Sequence, residues 1–202
     1  FRDVVDRRAN QLGEYLGSAE AKEKSTTNLN AEIIITFEEL LDYFIIRYCQ
    51  DLNEIPLPEA ILKYQDLSID QIDLFEMIPD YLAFEQEDEK IFTDFLKMPL
   101  EKLKNASQSF LFPKKNEKIL FICDQSILGS CKEGFAMTEK ALYWKAHLEK
   151  ERSVHFIQLE DINRTKDWIS INGHFFNVNP SINLKMMKLL KKLRAGYRLN
   201  NF

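Results

Sequence analysis

The side chains able to do chemistry are few in this 202-residue sequence, and their spacing gathers no site. Three histidines (His147, His155 and His174) and three cysteines (Cys49, Cys123 and Cys131) stand far apart. A tetrahedral metal centre draws its ligands from close Cys or His pairs, and none occurs here. Cys123 and Cys131 admit a disulfide or a pair of reduced, buried thiols. The odd number of cysteines and the apolar run Ile119-Leu120-Phe121-Ile122-Cys123 favour the reduced form. Cys131 sits beside Lys132 in an expected loop, which makes it the one slightly activated thiol, read as exposed and incidental. Asp66, Asp70, Asp73 and Glu76 recur at helical steps, where a row of carboxylates is more often a solvated face than a cation site. Neither GxGxxG nor GxxxxGK[ST] is present, so no glycine loop is built to cradle a phosphate. The reading is of a protein that is not an enzyme and uses no cofactor. An enzyme with a site between two halves of the chain is the least favoured alternative.

What remains is charge. Lys114 and Lys115 precede the first expected barrel strand and Lys118 opens it, Lys132 lies in the loop after it, and Lys185, Lys188 and Lys192 lie on a terminal helix. These seven are the candidates for contact with an anion or a partner. A net charge of −5 disfavours a dedicated nucleic-acid binder, and aromatic residues do not interleave with the lysines as a stacking platform requires. The charge is unevenly laid out: residues 1–105 hold 11 Lys or Arg against 23 Asp or Glu, and residues 106–202 hold 16 against 9. That asymmetry sets two regions, 1–105 and 106–202, whose surfaces are complementary.

The elements that must carry these residues change character along the chain. Residues 1–22 have helix-forming composition. Ser25 to Asn30 reads as a loop with Asn30 as N-cap, and a second helix runs from Ala31 to Gln50 on apolar residues at three- and four-residue steps. Its opening Ile33-Ile34-Ile35-Thr36 is β-branched and admits a strand. Pro58 suits the start of a short helix to Tyr64. Ser68 with Gln71 makes a capping box for another, which Pro79 stops or kinks. Glu85 to Lys97 reads as a further helix and Leu100 to Ala106 as one more. The first region is thus an acidic helical array.

From Lys118 the period falls to two. Lys118–Cys123, Gly134–Thr138, Ala141–His147, Val154–Leu159, Trp168–Ile171 and His174–Val178 are strand candidates, with Phe110–Phe112 as a short seventh. Asn172-Gly173 is the preferred pair for a two-residue turn with positive φ at both positions, which pairs Ile171 with His174 and Ile169 with Phe176. A turn at Glu139-Lys140 pairs Met137 with Leu142 and Phe135 with Trp144. A last helix follows Asn179-Pro180, with Ser181 as N-cap and Ile182, Met186, Leu189, Leu190, Leu193 and Tyr197 as its apolar stripe.

The run Gly134-Phe135-Ala136-Met137-Thr138-Glu139-Lys140-Ala141-Leu142-Tyr143-Trp144 resembles the "apolar-Thr-x-Lys-x-apolar-Tyr-Trp" hairpin of bacterial pleckstrin-homology-like and GRAM-like domains. Val154–Ile162, Trp168–Val178 and the final helix extend the likeness over about residues 108–198. The resemblance implies an α+β protein: an N-terminal acidic helical array, then a pleckstrin-homology-like antiparallel β-barrel capped by the C-terminal helix. It further implies a non-catalytic module binding a protein or peptide partner. Peripheral binding to anionic membrane lipid is the alternative. Two departures stand out. The final helix has no Trp, and the loop Asp124 to Glu133 offers only Lys132 against Asp124 and Glu133, unlike the basic loop of lipid-headgroup binders. The longest apolar runs fall far below the roughly 20 residues of a membrane helix, and no charged-then-apolar leader opens at Phe1, so a cytoplasmic location is expected. The oligomeric state is left open.

Overall fold

The computed structural model describes residues 1–18 and 26–199, and within it the chain divides into two compact units, Phe1–Gln65 and Asp66–Phe202. The first unit is a helical hairpin with an extension. Helix α1 (Arg2–Gly17) packs on α2 (Thr26–Tyr48), and Arg8 Nη2 meets Glu39 Oε2 at 3.0 Å between them. The expected end of the first helix at residue 22, and Ser25, lie outside the described residues. Helix α2 begins five residues before the expected Ala31 start, so Asn30 lies inside it and not at its cap. Its β-branched stretch stays helical, because packing an amphipathic face outweighs the few tenths of a kcal/mol per residue by which propensity disfavours it (about 0.5). After α2 come 3₁₀ turns at Gln50–Leu52 and Glu59–Tyr64, the second introduced by Pro58. An Arg47–Glu59 ion pair and a bond from Gln65 Nε2 to the Glu39 carbonyl (2.9 Å) fasten that extension back onto α2.

The second unit is α+β. The Ser68–Gln71 capping box forms, but it opens only a 3₁₀ turn over Ile69–Gln71. Helix α3 (Leu74–Leu82) starts afresh at Asp73, whose carboxylate accepts from Phe75 N at 2.8 Å. Pro79 neither stops it nor ends it; Ala83, left-handed at φ 46°, does. Met77, Ile78, Tyr81 and Leu82 are buried on α3, which packs on the last helix of the chain. The stretch Glu85 to Lys97 forms no α-helix, and only a 3₁₀ turn at Phe84–Gln86 enters it. It holds strand β1 (Lys90–Phe92), which pairs antiparallel with β2 (Ile119–Asp124) at Ile91↔Cys123. Phe110–Phe112 is no strand either, and ends helix α4 (Leu100–Ser109) with Phe110 and Leu111 buried.

Beyond β2 follow β3 (Gly134–Thr138), β4 (Ala141–Lys145) and β5 (Arg152–His155), in a five-stranded antiparallel sheet of order β1-β2-β3-β4-β5. A second antiparallel sheet holds β6 (Ile162–Thr165), β7 (Trp168–Ile171) and β8 (His174–Phe176). The expected strand Val154–Leu159 is cut short, turning 3₁₀ at Phe156–Gln158. Among the described residues no strand pairing joins the two sheets into a closed barrel. Helix α5 (Pro180–Leu199) closes the unit. Its cap is Asn179, whose Oδ1 accepts from Ile182 N at 2.7 Å, and not Ser181.

Both hairpins take the register read from the sequence. Met137 pairs with Leu142, Phe135 with Trp144, Ile171 with His174 and Ile169 with Phe176. Asn172 and Gly173 have φ of 48° and 78°. One face of the larger sheet joins an aromatic row with ring centroids 4.9–5.5 Å apart, Phe84–Phe121–Phe135–Phe176, and Trp144 stands 6.1 Å from Phe176. The opposite face is buried as well. Ile122, Ala136, Ala141 and Tyr143 pack with Met98, Ala106, Phe110 and Leu111 beside α4.

Candidate interaction surface

Strand β5 is the last strand of its sheet, with β4 as its neighbour there. Phe156 N donates to the Lys140 carbonyl at 2.9 Å, which sets the phase of the ladder. In an antiparallel pair the bonded residues alternate, so Arg152 and Val154 turn their backbone groups to β4. Ser153 and His155 turn theirs to the open edge.

The two faces of this edge each carry a recess of about 200 Å³. On one side lie Trp144, Lys150, Arg152, His174 and Phe175, with Glu149 at the margin. On the other lie Phe112, Lys114, Tyr143, Arg152 and His155, with Glu151 and Ser153. Alternation along the strands explains the division, since Trp144 and Tyr143 are neighbours that point to opposite faces. Each recess joins an exposed aromatic ring, Phe175 or Phe112, to basic side chains.

The walls are fixed by hydrogen bonds. Trp144 Nε1 donates to the Phe175 carbonyl at 2.8 Å, which ties β4 to β8. Tyr143 OH donates to Glu117 Oε2 at 3.0 Å, and burial together with that carboxylate raises the phenol above its ordinary pKa. Thr138 Oγ1 donates to the same oxygen and accepts from Lys140 N and Ala141 N. The threonine of the hairpin motif therefore holds the turn from which β4 leaves.

Of the seven lysines expected to meet a partner, Lys114 alone lines one of these two recesses. Lys114 lines the second recess, and Lys115 and Lys118 are exposed in the same approach to β2. Lys132 is exposed on the β2–β3 loop. Lys188 and Lys192 are half-buried on α5. Lys185 is only 2% exposed and meets Glu87 Oε1 at 2.6 Å, so its charge is neutralised inside the fold. Its position carried the signal: it stands three residues after Ile182 and four before Leu189, on the rim of the apolar stripe. Arg152 and Lys150 escaped sequence reading because only the sheet order makes β5 an edge.

The β2–β3 loop is built around an acid. Asp124 Oδ1 accepts from Ser126 N, Ser126 Oγ and Cys131 N, and Oδ2 meets Lys102 Nζ at 3.0 Å. Burial alone would raise that carboxyl; the bonds from Ser126 and Lys102 outweigh it and hold it below the usual range. Cys131 is not the exposed, activated thiol of the sequence reading. It is buried, and desolvation with the Asp124 charge pushes it up to about 12. Burial raises Cys123 as well, and all three cysteines are free. His147 Nδ1 lies 2.9 Å from Glu133 Oε1 on the surface. Among the described residues no group of three or more His, Cys, Asp or Glu is placed to hold a metal ion, and no helix is long and apolar enough to cross a membrane. Set against family models, curated proteins and solved structures, the chain matches none.

Proposed function

We propose that this chain is a non-catalytic interaction module of pleckstrin-homology-like build, and that the β5 edge takes an extended segment of a protein partner. The likeness in build is supported by chain order: four strands β2 to β5, then three strands β6 to β8, then an amphipathic helix whose stripe is buried. The observation that carries the binding reading is the open β5 edge with a recess on either face. Backbone groups of Ser153 and His155 supply ladder bonds to an added strand, and alternate side chains of that strand enter the two recesses. Lys114, Lys150 and Arg152 outnumber Glu149 and Glu151 there, and Phe112 and Phe175 are exposed. The preferred segment therefore alternates acidic and aromatic residues.

Membrane binding through Lys114, Lys115, Lys118 and the basic helix is the weaker reading, since Lys185 is held by Glu87. The test is a peptide-library selection against the chain, followed by titration of the ¹⁵N-labelled protein with a selected peptide. Amide shifts centred on Ser153 and His155, and loss of binding in Ser153→Pro, are expected. Shifts centred elsewhere refute the edge. Salt-sensitive sedimentation with phosphatidylserine vesicles and no peptide selected replaces the reading with the lipid one.

A further inference from the structure

Among the described residues, the first unit carries an apolar surface that its own fold leaves half-exposed. On α2, Ile34, Phe37, Leu41, Phe44 and Tyr48 follow at steps of three and four, and each is between 38% and 63% exposed. Apart from Phe1, which meets Phe44 and Tyr48 at one end of this seam, α1 packs on the opposite side of the helix. Glu39 takes Arg8 from α1, and Ile46, seven residues further along the same face, is buried. Strict three-four spacing is a narrower seam than the stripe by which a helix packs on a globular core. It is the spacing of helices that pair by knobs into holes. The side chains of the seam carry no charge, and Phe44 and Tyr48 lie 5.8 Å apart in a tilted pair. Phe1, itself 46% exposed, extends the patch at that end, its ring 5.0 Å from Phe44 and its amino group 3.3 Å from Tyr48 Oη. Contiguous apolar surface of this kind marks an interface.

We propose that α2 is a self-association element, and that the seams of two copies of this chain pair across a two-fold axis. Area and composition select the occupant. Half-exposed side chains of this size offer about 100 Å² each and the seam about 500 Å², so two copies remove about 1,000 Å², where specific interfaces begin. A partner for an uncharged seam must itself present an uncharged seam, and the same chain supplies one in matching register. A self-complementary patch closes into a two-fold dimer and does not propagate. With α1 on the outer side of each α2, the product is a four-helix arrangement whose apolar core is the paired seams. This dimer stands independently of the β5 edge, which lies in the other unit.

Sedimentation equilibrium of the whole chain tests it. The wild type is expected at twice the 23.8 kDa of one chain. The Phe37→Glu/Leu41→Glu double variant is expected at the mass of one chain with its far-ultraviolet circular dichroism unchanged. Leu148→Glu, at an exposed leucine off the seam, should leave the dimer intact. Should the charged pair unfold, Leu41→Ala keeps the test: dissociation should become easier by about tenfold or more, since each 1.4 kcal/mol is a factor of ten. A wild type that stays monomeric at high concentration overturns the proposal, whether or not it binds neutral vesicles. So does a dimer that survives the charged seam.

Discussion

Glu87 and Lys185 are the pair whose chemistry is most sharply defined. Both side chains are nearly fully buried, and Glu87 also accepts from Ser181 Oγ at 2.6 Å and from Asn179 Nδ2 at 3.1 Å. Burial alone would raise the Glu87 carboxyl, but these bonds and the lysine charge hold it below its usual value. Removing one partner of such a pair costs about 3–5 kcal/mol, because the other charge is left buried and alone. Lys185→Ala should lose that much in urea unfolding at neutral pH. Replacing both partners together, as in Glu87→Gln/Lys185→Met, should lose less than Lys185→Ala alone. The pH dependence has a definite sign. A carboxyl with a depressed folded pKa contributes stability above its unfolded value, near 4.5 for Glu87, and that contribution is lost as pH falls through the folded value. Without the lysine, only the Ser181 and Asn179 bonds oppose burial, so the Glu87 carboxyl moves up and protonation relieves the variant. The deficit of Lys185→Ala should therefore shrink between pH 7 and pH 4, and a deficit constant across that range contradicts the buried-pair account.

Hairpins were readable in the sequence because turn chemistry and alternation act locally and agree. Asn172 shows why one residue carries so much: its positive φ makes the turn, while its side chain accepts from Glu160 N and Asp161 N and donates to the Gln158 carbonyl. Strands β1 and β6 were not readable. Glu85 to Lys97 has a helical apolar spacing, and only the edge of β2, with backbone groups needing partners, draws Lys90–Phe92 into the sheet. Strand β6 has a single buried residue, Ile162, so it offers no alternation to detect. The β5 surface was hidden for the same reason, since an edge is defined by what does not pair with it. Gly134 gives the hairpin its own test. Its φ is 143°, and a Cβ there would lie 2.0 Å from the Cys123 carbonyl oxygen. Gly134→Ala should cost about 3 kcal/mol or more and lower the thermal midpoint by about 10 °C. At Gly173 no atom lies within 4 Å of that position, so Gly173→Ala pays only for its positive φ, about 1 kcal/mol. Equal midpoints for the two variants would show that the Gly134 backbone is free to move.

Charge and period both suggested a division of the chain near residue 105, whereas the compact units meet between Gln65 and Asp66. The segment from 66 to 105 supplies much of what holds the strands. It brings β1 to β2, Met98, Phe95 and Leu103 to the outer face of the sheet with most of α4, and Glu87 and Glu89 to Asn179 at the start of α5. Part of the complementarity between acidic and basic stretches is thus internal to the second unit. A fragment beginning at Asp66 keeps all of these contacts and should fold by itself, with cooperative thermal unfolding and dispersed amide resonances. A fragment beginning at residue 106 loses β1, α3 and most of α4. It also leaves Lys185 buried without its carboxylate and exposes Phe110, Leu111 and Tyr143 along one face of the sheet. That uncovered face should bind a hydrophobic dye, and the fragment should melt without a cooperative transition. If the shorter fragment instead unfolds cooperatively at the midpoint of the longer one, the strands and α5 are self-sufficient, and the segment from 66 to 105 is an addition to the fold and not a part of its core.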